Sequence, residues 1–176
     1  MLETFYPDLY LDSAYEIPYE NLFRQGYRGI IFDVDNTLVP HGAPADMRAV
    51  RLFMSLRELG FQTCILSNNK EPRVSPFAEQ VGSPYIFNGH KPSRSGYQKA
   101  MEVMGTKTEH TLLVGDQLFT DVWGARRTGI FSILVKPINP REEIQIVLKR
   151  YLEAVVLHFY QKAERKRDTG RGFCKK

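Results

Sequence analysis

The chain has 176 residues, 43% of them apolar, and a formal net charge of +4. That length buries a single-domain core without disulfides or structural metals, and two cysteines, Cys64 and Cys174, give neither a disulfide framework nor zinc-ligand spacing. The charge is unevenly divided: residues 149–176 hold nine Lys/Arg against three Asp/Glu, and residues 1–148 hold fifteen against seventeen, so the basicity belongs to an appendage and specific nucleic-acid binding is not expected.

In chain order, residues 1–28 come first as an aromatic arm, with Phe5, Tyr6, Tyr10, Tyr15, Tyr19, Phe23 and Tyr27 around Pro7 and Pro18. Such a segment is expected to cross the core as an irregular arm or short helix, the alternative being an aromatic membrane or partner surface. No basic, apolar leader opens it. No later apolar run approaches the roughly 18 residues that span a bilayer, so the expectation is a cytoplasmic protein, with a peripheral place at the inner face of the membrane as the alternative.

From residue 29 to 140, apolar β-rich runs near 29–34, 62–67, 84–87, 111–115 and 131–135 alternate with helical patterns near 46–59, 71–81, 93–104 and 120–128. This alternation predicts an α/β fold: one Rossmann-like, doubly wound parallel sheet of about five strands. Met47, Val50, Leu52, Phe53, Leu56 and Leu59 in the first helix, and Met101, Val103 and Met104 in a later one, read as core positions. Gly60, Gly82, Gly105 and Gly129 each follow a helical pattern, where a left-handed C-cap suits glycine. Residues 141–176 read as an amphipathic helix ending in the run Lys162-Ala163-Glu164-Arg165-Lys166-Arg167. Its apolar positions from Ile144 to Phe159 fit core packing, or contact with an anionic membrane.

Four polar groupings punctuate these elements. Asp33 and Asp35 close the first strand; on a continuing strand they share a face, so their mutual repulsion calls for Mg²⁺, a shared proton, or both, unless they simply form a solvated turn. Ser67-Asn68-Asn69 closes the second strand with hydrogen-bonding groups suited to a phosphate. Lys91, after the third, precedes a proline that disfavours helical geometry and is placed to meet a phosphate as a point charge. Gly115-Asp116 closes the fourth, followed by Asp121. Asp116 suits a hard cation; Asp121 is an outer ligand, a carboxylate orienting Lys91, or a helix-start acid. His41, His90, His110 and His158 show no metal-ligand spacing. Arg73 and Arg127 are candidates for a second anionic group.

These groupings, Asp33-x-Asp35-x-Thr37, Ser67, Lys91 and Gly115-Asp116-x₄-Asp121, resemble the four motifs of the haloacid dehalogenase superfamily of aspartate-nucleophile phosphatases. The wording Asp-Asn-Thr-Leu-Val, Leu-Ser-Asn-Asn, Lys-Pro and Gly-Asp-Gln-Leu-x-Thr-Asp-Val is closer still to its class IIIA, YqeG-type branch, whose fungal and plant relatives hydrolyse phosphatidylglycerophosphate. The likeness runs over about residues 5–137.

The resemblance implies that Asp33 attacks phosphorus, that Asp35 is the acid and then the base, and that Ser67, Asn68 and Lys91 hold the phosphoryl group. It also implies Mg²⁺ held by Asp33, Asp35 through its backbone carbonyl, and Asp116, with Asp121 nearby. The gaps of seven residues after the first motif and about twenty between Asn69 and Lys91 leave no room for a cap domain, so the site is expected to be open and to favour a phosphate on something large. The expected activity is therefore a Mg²⁺-dependent phosphomonoester hydrolase acting on phosphatidylglycerophosphate. Its rivals are a phosphatase for a soluble ester, such as a sugar phosphate, nucleotide or nucleic-acid end, and a regulatory binding protein that keeps the site.

Overall fold

The computed structural model describes residues 2–139 and 144–171. The expected start of the C-terminal segment at 141, and Cys174 near its end, lie outside the described residues.

Six strands form one parallel sheet: β1 (Leu9–Leu11), β2 (Gly29–Phe32), β3 (Gln62–Leu66), β4 (Tyr85–Ile86), β5 (Thr111–Gly115) and β6 (Phe131–Val135), in the order β1-β6-β5-β2-β3-β4. The strand beyond the predicted five is β1. It lies inside the aromatic arm, too short for its alternation to be legible, and exists because β6 offers a free edge. Asp8 fixes its start by accepting from the Ser132 backbone N–H and hydroxyl, both at 2.8 Å, and pairing with Arg126 at 2.9 Å.

The helices α1 (Tyr19–Arg24), α2 (Met47–Leu59), α3 (Glu71–Val81), α4 (Arg94–Met104) and α5 (Trp123–Thr128) cover the sheet, and α6 (Ile144–Arg171) follows it. The strands read as continuous apolar runs because both faces are buried, and alternate residues sort between two cores. Ile30, Phe32, Ile65, Leu112 and Val114 pack with Tyr19, Phe53, Leu56 and Phe77 of α1, α2 and α3. Ile31, Cys64, Leu66 and Leu113 pack with Tyr97, Ala100, Met101 and Ala125 of α4 and α5. Burial pushes the Cys64 thiol up to about 12, leaving it an inert core group.

Two expected core positions are corrected. Met47 is 63% exposed because, two residues ahead of Ala49, it opens α2 on the side opposite the buried stripe of Ala49, Phe53 and Leu56; Val103 is 54% exposed because Tyr97, Ala100, Met101 and Met104 define a face it does not share. The four glycines do end their helices in the left-handed region, with φ between 65° and 99°. The arm packs as expected: Tyr19 is buried and donates to the Ala14 carbonyl at 2.8 Å, and Tyr15 donates to the Leu38 carbonyl at 2.6 Å, tying the arm to the loop after β2.

The chain reverses direction across the sheet at β2. It runs outward through β3 and β4, then returns to β5 on the other side, which opens a crevice at the carboxyl ends of β2, β3 and β5.

Candidate active site

Each polar grouping leaves the carboxyl end of a strand into that crevice. Backbone bonds continue past the strand ends, with the Asp33 N–H donating to Val114 and the Ser67 N–H to Ile86, both at 3.0 Å, so these side chains start from rigid positions. The cleft they line with Asp35, Asn36, His41, Asn68, Asn69, Lys91, Gln117 and Thr120 has a volume of about 230 Å³.

Its floor is a buried charge cluster. Lys91 Nζ donates to Asp33 Oδ1 at 2.6 Å and to Asp121 Oδ1 at 2.7 Å, all three side chains at most 8% exposed. Asp33, Asp116 and Asp121 each bring a carboxylate oxygen within 4.8 Å of the others. Thr37 Oγ1 lies 3.2 Å from Asp116 Oδ1 and 3.4 Å from Asp33 Oδ2 and bridges the two acids. Burial raises the Asp33 pKa to about 7; the negative charges of Asp121 and Asp116 push the same way and Lys91 opposes them. Burial acts against the Lys91 charge, but Asp121 and Asp33 outweigh it and hold its pKa above the ordinary lysine value. Three carboxylates against one ammonium leave the cluster with excess negative charge and hard oxygen donors, and that donor set fits a divalent cation such as Mg²⁺.

Asp121 reaches this cluster through irregular backbone. The predicted helix near 120–128 begins two residues earlier as a π-helical turn, Leu118–Val122, which passes into α5. This turn lets the Asp121 carboxylate point back to accept from the Gln117 N–H at 3.1 Å as well as from Lys91. Gly115 makes room: a Cβ there would lie 2.6 Å from the Asp121 carboxyl group. Asp121 thus makes the hydrogen bond to Lys91 that the orienting reading calls for, and it also stands in the carboxylate trio that the outer-ligand reading calls for.

Asp35 occupies a different setting. β2 ends at Phe32, so strand alternation does not govern positions 33 and 35, and the Asp35 carboxylate is not one of the clustered three. It accepts from Asn69 Nδ2 at 2.7 Å, from the Gly42 N–H at 2.8 Å and from Arg73 through Nη2 at 2.7 Å and Nε at 3.3 Å. His41, largely exposed, lies 3.9 Å away. Arg73, considered in sequence for a second anion, is thus an Asp35 partner. Arg127 stacks over Trp123 instead, its carbon 5.2 Å from the ring centroid.

The second motif also divides its work. Ser67 is buried on the cleft wall and accepts from the Asn69 N–H at 3.1 Å. The Asn68 side chain clamps the Lys91 backbone in both directions, accepting from its N–H at 2.7 Å and donating to its carbonyl at 3.1 Å. His90 is exposed and does not line the cleft. Sequence reasoning missed Asn69 and the Gly42 N–H as Asp35 partners; the only available signal was the amide pair Asn68-Asn69, whose separate duties depend on geometry.

Comparison with known proteins agrees with this geometry. A haloacid dehalogenase-like hydrolase family model matches residues 48–129. A probable phosphatase, YqeG, of Bacillus subtilis (strain 168) is 36% identical over 159 residues, which cover 89% of this chain and 92% of that protein. The chloroplastic/mitochondrial phosphatidylglycerophosphate phosphatase 1 of Arabidopsis thaliana is 25% identical over 158 residues, covering 80% of this chain but only 44% of the plant protein. Among solved structures, an uncharacterized Corynebacterium glutamicum protein superposes with a TM-score of 0.53 at 23% identity, over 70% of this chain and 95% of that one, a likeness of fold.

Proposed function

This chain belongs to the haloacid dehalogenase-like hydrolases and is a phosphoric monoester hydrolase of that family, and from that premise we propose that it dephosphorylates phosphatidylglycerophosphate, with Asp33 as nucleophile. The observation that carries the chemistry is the buried Asp33 carboxylate, 2.6 Å from Lys91 and grouped with Asp116 and Asp121. A buried carboxylate held beside a cation and open to a cleft is poised to attack phosphorus in line, forming an aspartyl phosphate.

Asp35, on the cleft wall, gives a proton to the departing alkoxide and takes one from the water that hydrolyses the acyl phosphate. Asn69, Arg73 and the Gly42 N–H hold it in place between the two half-reactions. Lys91 and the Ser67 hydroxyl share the charge that builds on the phosphoryl oxygens, while Asp121 and Asn68 position Lys91 by side chain and backbone. Asp33, the backbone carbonyl of Asp35, and Asp116 are the candidate holders of Mg²⁺, which when bound supplies charge neutralisation for the approach of a phosphate dianion.

The lipid substrate is supported by the plant relative and by the short connections over the cleft. β2 passes to α2 with no inserted domain, and β3 to β4 with α3 alone between them. The test is Mg²⁺-dependent phosphate release from phosphatidylglycerophosphate in mixed micelles against a panel of soluble phosphomonoesters, with Asp33→Asn as blank. Strong preference for the lipid, lost in the variant, is the expected result; equal turnover of the soluble esters overturns the substrate assignment and leaves the chemistry in place.

A further inference from the structure

The apolar surface of α6 is broad, and only part of it is covered. Inward, Val156 is 4% exposed and packs with Phe5, Tyr6, Leu118, Phe119 and Leu157; the Tyr6 and Tyr160 rings meet edge-on at 5.3 Å. Outward, Tyr151, Leu152, Val155 and Phe159 are 73%, 56%, 45% and 44% exposed. Their spacing of i, i+1, i+4 and i+8 aligns them in one stripe beside the covered seam. The seam alone would satisfy an amphipathic surface helix, so the exposed stripe calls for an occupant.

The charge around that stripe points to its occupant. Residues 144–171 hold seven Lys/Arg and three Asp/Glu, although residues 1–148 are net acidic. One of the three acids, Glu153, is turned inward: it is 4% exposed and accepts from the Leu118 N–H at 3.0 Å. With Glu153 withdrawn, two acids remain in the helix sequence against its seven basic residues. Apolar and aromatic side chains beside a cationic run are the marks of a helix that lies in the interface of an anionic bilayer. A second copy of the chain fits less well, because the stripe offers only a few hundred Å², about half of the ~800 Å² per partner of a standard interface.

The stripe is also joined to the catalytic cleft. Leu118, which Glu153 caps, follows Gln117 and stands two residues before Thr120, and both of those line the cleft. We propose that the outer face of α6, from Tyr151 to Phe159 with the basic turns that follow, seats this protein on an anionic lipid surface beside its active site. This inference rests on the lipid-phosphatase reading for its purpose, although the surface is read from α6 itself.

The test is cosedimentation of the full chain with vesicles of phosphatidylcholine, with and without an equal part of phosphatidylglycerol. Binding to the anionic vesicles is expected to fall at least about ten-fold in Leu152→Glu/Phe159→Glu, and about five-fold in Lys162→Gln. Both variants should retain the far-ultraviolet dichroism of the parent and its turnover of a micelle-free short-chain substrate. Equal vesicle binding by parent and double-Glu variant overturns the proposal, as does a dimer in sedimentation velocity that the same substitutions dissolve without any vesicle binding. Asp33→Asn protein should bind vesicles like the parent. If it does while phosphatidylglycerophosphate is not hydrolysed by the parent, the docking surface stands and the substrate assignment alone falls.

Discussion

Replacing Lys91 with Met removes the ammonium that sits between Asp33 and Asp121 and keeps most of the side chain's volume. Both ion pairs it breaks, at 2.6 and 2.7 Å, are buried on each side. Removing one member of a buried pair typically costs about 3–5 kcal/mol, because the remaining charge is stranded. Here Asp33, Asp116 and Asp121 are left facing one another. The cost depends on pH in a defined direction. Burial already holds the folded-state pKa of Asp33 at about 7, well above the ordinary aspartate range, so the native state holds a proton that the unfolded chain has released, and stability falls as pH rises through that window.

Loss of Lys91 removes the neighbouring positive charge and hydrogen bond that oppose this rise. Urea unfolding of metal-free protein should therefore show a deficit of about 3–5 kcal/mol at pH 8 that shrinks toward pH 5, as Asp33 takes up a proton. In melting temperature the pH 8 deficit corresponds to roughly 6–20 °C for a domain of this size. Activity should fall about 10²–10³-fold, the usual cost of one preorganised donor to a developing oxyanion. A deficit under about 1 kcal/mol, the level of an exposed pair, or one independent of pH, would refute the account of a strained acid cluster balanced by one lysine.

The same linkage predicts that Mg²⁺ raises the melting temperature of the parent more at pH 8 than at pH 5, because at the lower pH the ion competes with the Asp33 proton; scanning calorimetry at the two pH values reads this. Arg73→Ala removes two of the hydrogen bonds that fix Asp35 and should lower kcat by about 10–100-fold with KM changed by less than about two-fold, as steady-state kinetics would record. Gly115→Ala places a methyl group against the Asp121 carboxyl, where overpacking costs about 1–3 kcal/mol in urea unfolding, together with a fall in turnover from a displaced Lys91.

The order of strands and helices was legible because the central strands β2, β5 and β6 are covered on both faces and read as unbroken apolar runs. β1 was not, since a three-residue edge strand owes its form to the neighbour it pairs with across more than a hundred residues. Met47 and Val103 show the related limit that helical spacing identifies a stripe but does not place its edges. In the site, Asp33, Lys91, Asp116 and Asp121 could be named from sequence because each follows a recognisable strand, and the fold brings them together. The environment of Asp35 could not, because two loops and the first turn of α3 supply its partners. Nor could the two-way clamp of Asn68 on Lys91, because a side-chain amide gives no sign in sequence of which backbone it will hold.

Tyr15 fastens the aromatic arm to the loop behind the nucleophile, and β1, just before it, lies at the sheet edge and pairs with β6. On a ribosome this sets a schedule. Asp33 and its strand emerge early, but the edge on which Leu9–Leu11 dock does not exist until residues 131–135 have been made and have added to β5. A nascent chain halted before that point holds its nucleophile with a loose arm and without β6 backing the strand that carries Asp116, so hydrolytic competence waits for residues 131–135.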